Sequence, residues 1–159
     1  MEGKKLLFVV NQAKYFVSHR LVIAKQAVKA GYEVHVASPS SDFVERIEDE
    51  NITFHNIVVS RSGKNIFSEL RTIYSIWKVV NKVKPNLLHL ISIKPVLYGG
   101  IIARILRIPS VIAISGLGYL FSESRKSVLK KIVNFFYRIS LSQIKSIVIV
   151  QNENDKRIL

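Results

Sequence analysis

Three turns and one helix of this chain hold the residue types from which a site for an anionic or polar ligand could be built. Asn11 follows the first apolar run, Leu6–Val10, and offers an amide that can both donate and accept. His19, beside Arg20, falls in the first turn of the helix predicted next, where unpaired backbone N–H groups favour an anion. Lys94 stands between the apolar run Leu87–Ile91 and Pro95, just before a predicted helix, where an ammonium could meet a phosphate. Its plainer reading is a solvated loop lysine. Ser115, Gly116 and Gly118 lie in Ile114-Ser115-Gly116-Leu117-Gly118-Tyr119. The glycines either let backbone N–H groups approach a ligand or supply a positive-φ turn. The helix is the stretch Arg125–Lys145, which carries six Lys or Arg and no acid.

What the chain lacks narrows the chemistry. There is no cysteine among its 159 residues, so disulfides, thiolate catalysis and cysteine-held metal are excluded. His19, His35, His55 and His89 are scattered, without the spacing of zinc ligands, and no metal or cofactor is called for. A dinucleotide enzyme needs Gly-x-Gly-x-x-Gly after the first strand and an acid closing the second. Here the first turn reads Asn11-Gln12-Ala13-Lys14-Tyr15, the second strand ends in Ser38-Pro39, and Glu33 sits at its wrong end. The phosphate-loop lysine signature is absent as well. No apolar run reaches the roughly 18–20 residues that span a bilayer. Lys4-Lys5 before Leu6–Val10 looks like a leader, but the run is too short and enters a polar loop, so it is read as the first strand of a cytoplasmic protein.

The elements that must position these residues alternate regularly. Leu6–Val10 is a strand; Ser18 is the expected N-cap of a helix through Lys29, closed by Gly31. Glu33–Ser38 and Ile52–Val59 are strands two and three, separated by an acidic helix from Ser41/Asp42 to about Glu50. Ile66–Lys84 is a helix with an apolar stripe at Ile66, Leu70, Ile73, Ile76/Trp77 and Val80, ended by Pro85. Leu87–Ile91, the helix Val96–Leu106 with Pro95 in its first turn, and Val111–Ile114 form a strand–helix–strand crossover. A helix from Ser124 to about Leu141 and a sixth strand, Ser146–Gln151, complete the series. Gly99-Gly100 reads as close helix–sheet packing, His89 as a core histidine, and Asn152 with Asp155 as a helix cap. Six strands alternating with helices predict one α/β domain over 1–159, a Rossmann-like doubly wound parallel sheet in the order 3-2-1-4-5-6. In that order Asn11 faces Ser92–Lys94 across the crevice where the winding reverses, with Ser115–Gly118 along the same edge.

The formal net charge is +13 and uneven: residues 1–80 carry 11 Lys/Arg against 8 acids, residues 81–159 carry 13 against 3. Such a balance points to an anionic partner. Nucleic acid is not expected, because the aromatics fall within helices and strand runs and form no basic–aromatic platform. The Arg125–Lys145 helix has Leu129, Ile132, Val133, Phe136 and Ile139 or Ser140 as its apolar stripe. It reads either as a core helix with a basic solvent face or as a helix at an anionic membrane surface or lipid pyrophosphate, with Lys126, Lys130, Lys131 and Arg138 as the contacts.

Several stretches resemble retaining family-4 glycosyltransferases of the GT-B fold. They are Asn11…Phe16-Val17-Ser18-His19-Arg20-Leu21, Ala30-Gly31-Tyr32-Glu33-Val34-His35-Val36-Ala37, Leu88-His89-Leu90-Ile91-Ser92-Ile93-Lys94-Pro95 through Gly100, and Ala113 to Phe121. The blocks after strands four and five resemble a branch acting in bacterial capsule and O-antigen synthesis. The resemblance implies one half of a GT-B fold: the N-terminal, acceptor-binding domain, with the nucleotide-sugar held by a C-terminal domain that carries paired glutamates and is not in this sequence. It implies metal-independent, retaining transfer of a hexose or N-acetylhexosamine to a lipid-linked or oligosaccharide acceptor. The chain alone would then be inactive, peripheral on the inner face of the plasma membrane, with Asn11, His19, Lys94, Ser115, Gly116 and Gly118 lining the crevice. Two departures stand out: the glycine pair often found after strand one is missing, and Ser115-Gly116 occupies the place of a sugar-contacting histidine. A membrane-recruiting, non-catalytic subunit of a two-chain transferase is the alternative.

Overall fold

The computed structural model describes residues 3–59, 65–114, 128–143 and 145–150, the side chains of 128–134 excepted. Within these, β1 (Lys4–Val9), β2 (Tyr32–Ser38), β3 (Thr53–Asn56), β4 (Leu87–Ile91), β5 (Ser110–Ile114) and β6 (Ser146–Val150) form one parallel sheet in the order β3-β2-β1-β4-β5-β6. This is the doubly wound Rossmann-like architecture expected from the sequence. The central strands are near-continuous in Leu, Val, Ile and Phe because helices cover both faces. Side chains alternate with the pleat. Leu7, Val9, Leu88 and Leu90 enter one core with α4 (Ile66–Val83), α5 (Gly100–Leu106) and α6 (Val128–Leu141). Leu6, Phe8, Val10 and Ile91 enter the other with α1 (Ala13–His19), α2 (Leu21–Lys29) and α3 (Val44–Glu48).

Helix ends follow local chemistry. The side chain of Asn65 caps α4 by accepting from Phe67 N at 2.9 Å. α4 and α5 stop on Lys84 and Arg107, both in the left-handed region at φ 52° and 56°. Gly31, at φ 85°, closes α2 as expected. Gly99 shows the expected close helix–sheet packing, whereas Gly100 packs against helix α6 instead. A Cβ at Gly99 would meet Leu90 Cδ2 at 2.6 Å, and one at Gly100 would meet Ser140 Cβ at 2.6 Å.

Three expectations are corrected. Ser18 caps nothing: it lies inside α1, its Oγ donating back to Lys14 O at 3.1 Å, and the predicted single helix breaks at Arg20. Such back-bonding to the i−4 carbonyl bends helices. On α4, Ile66 and Leu70 are exposed, and Thr72, Ile76, Val79, Val80 and Val83 form the buried side. On α6, among the residues whose side chains are described, Phe136 is exposed and Tyr137 is buried in its place, while Ser140 is buried as expected.

Candidate functional site

β1 lies between β2 and β4, so the carboxyl ends of β1 and β4 meet at the point where the winding reverses. Val9 is in register with Leu90, which brings Asn11 and Ser92 out on the same edge. Ligands in open α/β sheets bind at such switch points. Asn11 is half-buried, and among the described residues nothing bonds its Oδ1, which is shielded from solvent.

Ser92, the first residue after β4, has φ 76°, a left-handed conformation that a β-carbon makes costly by about 1–2 kcal/mol. Its carbonyl accepts from Val96 N at 3.0 Å. Where the spacing predicts a plain α-helix, the chain first makes a π-helical turn, Pro95–Gly99, and only then runs into α5. Such wide turns leave the backbone ladder out of step and occur often at functional sites. Side chains of α6 and the loop after it supply bonds here: Tyr137 to Ile93 O at 3.3 Å, Ser140 to Leu97 O at 3.0 Å and Gln143 to Gly100 O at 2.8 Å.

Lys94 is neither a solvated loop lysine nor an open cation. Its Nζ lies 2.7 Å from Glu69 Oε1 of α4, both side chains being largely buried, and Tyr98 Oη donates to the other carboxylate oxygen. Burial, then the Glu69 carboxylate, pushes the Tyr98 hydroxyl well above its ordinary range, so it stays a donor. The triad ties α4 to the π-helical turn and fixes the edge of the crevice.

His19 is the last residue of α1, not part of a helix's first turn, so the anion argument for it does not hold. It is exposed, its ring stacked on Tyr15 at 4.3 Å and its Nδ1 2.6 Å from Ser18 Oγ. Arg20 at the α1–α2 junction is more deeply placed, with a buried Nε that nothing bonds among the described residues. It lies near His89, which stacks on Phe8 at 4.9 Å. Burial, reinforced by the Arg20 charge, lowers His89 to about 4, so the core imidazole is neutral. Ser115, Gly116 and Gly118 lie outside the described residues, as does Lys126. Lys130 and Lys131 fall where only the backbone of α6 is described, and Arg138 is exposed.

The sequence reading missed Glu69 and Tyr98, and it placed Ser92 on this edge and Arg20 beside His19 without the strained backbone of the one or the burial of the other. Only Glu69 left a trace, as the sole acid between Glu50 and Glu123. Among the described residues no three His, Asp or Glu are grouped to hold a metal, and no helix is long and apolar enough to cross a membrane.

The family model for glycosyl transferase 4-like proteins matches residues 5–152. The chain belongs to that family. No curated protein sequence matches this glycosyl transferase 4-like chain. Solved structures share its fold. The calicheamicin glycosyltransferase CalG4 superposes with a TM-score of 0.62 at 12% identity over 94% of this chain and 48% of its own. MurG of Acinetobacter baumannii gives 0.57 at 20% identity, over 77% of this chain and 40% of its own. The UDP-GlcNAc 2-epimerase of Methanocaldococcus jannaschii gives 0.59 at 16%, over 98% and 41%. The chain thus spans less than half the length of each of these structures. Since transferases and an epimerase share the fold, the family match, not the superposition, identifies this as a glycosyltransferase domain.

Proposed function

We propose that the chain is the N-terminal, acceptor-binding half of a glycosyltransferase. It would present a lipid-linked or oligosaccharide acceptor to a nucleotide-sugar held by a second domain, transferring a hexose or N-acetylhexosamine in surface-polysaccharide synthesis. The family match across residues 5–152 carries the reading. In support of the acceptor role, no two glutamates here stand seven or eight residues apart, the pairing that marks the donor half in the resembled family. The crevice at Asn11, Ser92–Lys94 and the segment after β5 would receive the acceptor's reacting end. Transfer would be retaining and metal-independent, with the departing nucleoside diphosphate stabilised by fixed donors of the second domain. The basic residues of α6, Arg138 with Lys130 and Lys131, and Lys126 before it, would hold the domain at the inner face of the plasma membrane or meet the acceptor's pyrophosphate.

The test is ligand choice. Calorimetric titration with a short-chain polyprenyl pyrophosphate sugar, an oligosaccharide acceptor, and UDP- and GDP-sugars should show binding of an acceptor and none of the nucleotide-sugars. Tight nucleotide-sugar binding without acceptor binding would make this the donor half instead.

A further inference from the structure

We propose that Arg20, with His89 beside it, is a binding subsite for a carboxylate, so that the saccharide acceptor received at the crevice is an acidic one carrying a uronate. This rests on the reading of the chain as an acceptor-binding half, and it names the class of acceptor.

A guanidinium keeps its charge in proteins. At the α1–α2 junction Arg20 is half-buried, and its Nε is shielded from solvent without a partner among the described residues. The hydrogen bond it makes there is a long one, from Nη1 to His19 O at 3.4 Å. No ion pair among the described residues includes it. A charge drawn out of water is costly unless it is paired and hydrogen-bonded. The Nε edge of the fork thus calls for an acceptor that the described residues do not supply.

His89 adds a second such atom. It is 7% exposed, and its Nε2 is also buried without a partner among the described residues. The ring is held by stacking on Phe8, itself packed edge to face on Phe16 of α1. In the Nε2–H tautomer the neutral imidazole is a donor beside the guanidinium. Charge then chooses among oxyanions. One guanidinium beside a neutral ring matches a single negative charge, and its planar fork suits the two oxygens of a carboxylate. A phosphate dianion or a pyrophosphate carries more charge than this pair neutralises.

Place ties the subsite to the crevice. His89 lies on β4, whose end leads to Ser92, and Arg20 follows the helix that begins beside Asn11. The seven residues of α1 rise by about 10 Å. Asn11 Oδ1 is likewise buried without a partner among the described residues. A ligand that touches both the amide and the guanidinium is therefore longer than one sugar ring, and its carboxylate lies away from the reacting end.

The test is a nuclear magnetic resonance titration of the chain with methyl glucuronide, methyl glucoside and inorganic phosphate at equal ionic strength. The glucuronide should shift the His89 ring signals and bind about tenfold more tightly than the glucoside, as a charge-assisted hydrogen bond allows. Phosphate should bind more weakly than the glucuronide. Arg20→Met should erase the preference, and Arg20→Lys, which keeps the charge but not the fork, should retain only part of it. Stability separates this role from a structural one. With no partner in the free chain to lose, Arg20→Met should leave the urea midpoint unchanged or raise it. Three outcomes overturn the proposal. One is a glucuronide that binds no better than the glucoside or leaves His89 unmoved. Another is phosphate binding as tight as the glucuronide, the mark of an unselective anion site. The third is a lower midpoint for Arg20→Met, which would show that Arg20 is paired within the chain. No probe here is a nucleotide-sugar or a polyprenyl pyrophosphate, so failure leaves the acceptor-half reading standing.

Discussion

Lys94 shows what residue types reveal and what they hide. Its position after β4 was legible, because an apolar run, a lysine and a proline mark a strand end and a helix start. Its partner was not, since Glu69 lies 25 residues earlier on another element. The pair predicts a particular pattern of stability. Glu69→Leu leaves a largely buried ammonium without its carboxylate and should cost about 3 kcal/mol in urea unfolding, while Glu69→Leu with Lys94→Met should recover most of that loss. Additive losses would show that the two residues do not act as a pair. His89, read correctly as a core histidine, predicts a pH effect. Its folded value of about 4 lies below the ordinary 6.5, so between these values the unfolded chain takes up the proton and the folded one does not. Stability is therefore full above pH 6.5 and falls as the pH drops toward 4, by about 3 kcal/mol at most from this residue. His55, also lowered to about 4 by burial and then by His35, acts in the same direction. His89→Phe, which keeps the contact with Phe8, should flatten the fall in urea midpoint between pH 7 and 4.5. An unchanged slope would mean that His89 is not buried in its neutral form.

Among the elements, strands were easier to read than helices. β4 was placed to the residue, because a strand buried on both faces announces itself as an apolar run ending at a turn. α4 was placed within one residue, but its orientation was half wrong. Ile66 and Leu70 keep helical spacing with Ile73 and Val80, and spacing alone cannot say which of two apolar stripes meets the sheet. The π-helical turn was invisible, since it depends on bonds that Tyr137, Ser140 and Gln143 make from more than 40 residues away. Gly99-Gly100 was readable as close packing because small residues in pairs mark where backbones approach. Gly100→Ala should therefore cost about 1–3 kcal/mol by overpacking against Ser140. Gly31→Ala, where the space is open but φ is 85°, should cost about 1 kcal/mol. Equal thermal shifts for the two would remove the packing account of Gly100.

At the scale of the molecule, the strand order followed from alternation of strands and helices with no knowledge of contacts, and the switch point came with it. The distribution of charge needed the fold. Among the described residues, Lys82 of α4, Arg104 of α5 and Arg138 of α6 come to the same side of the sheet only through the packing of those three helices. The same architecture bears on activity. A doubly wound sheet offers one crevice at its switch point, whereas group transfer between two bound substrates needs both held in line with fixed donors at the leaving group. This chain supplies one such edge, and it spans 40–48% of CalG4 and MurG. The purified chain, given UDP- or GDP-sugars and a lipid-pyrophosphate acceptor, should therefore show no turnover above the uncatalysed rate, while still binding the acceptor. Robust transfer by these 159 residues alone would mean that the crevice holds donor and acceptor together, and the acceptor-half reading would fall.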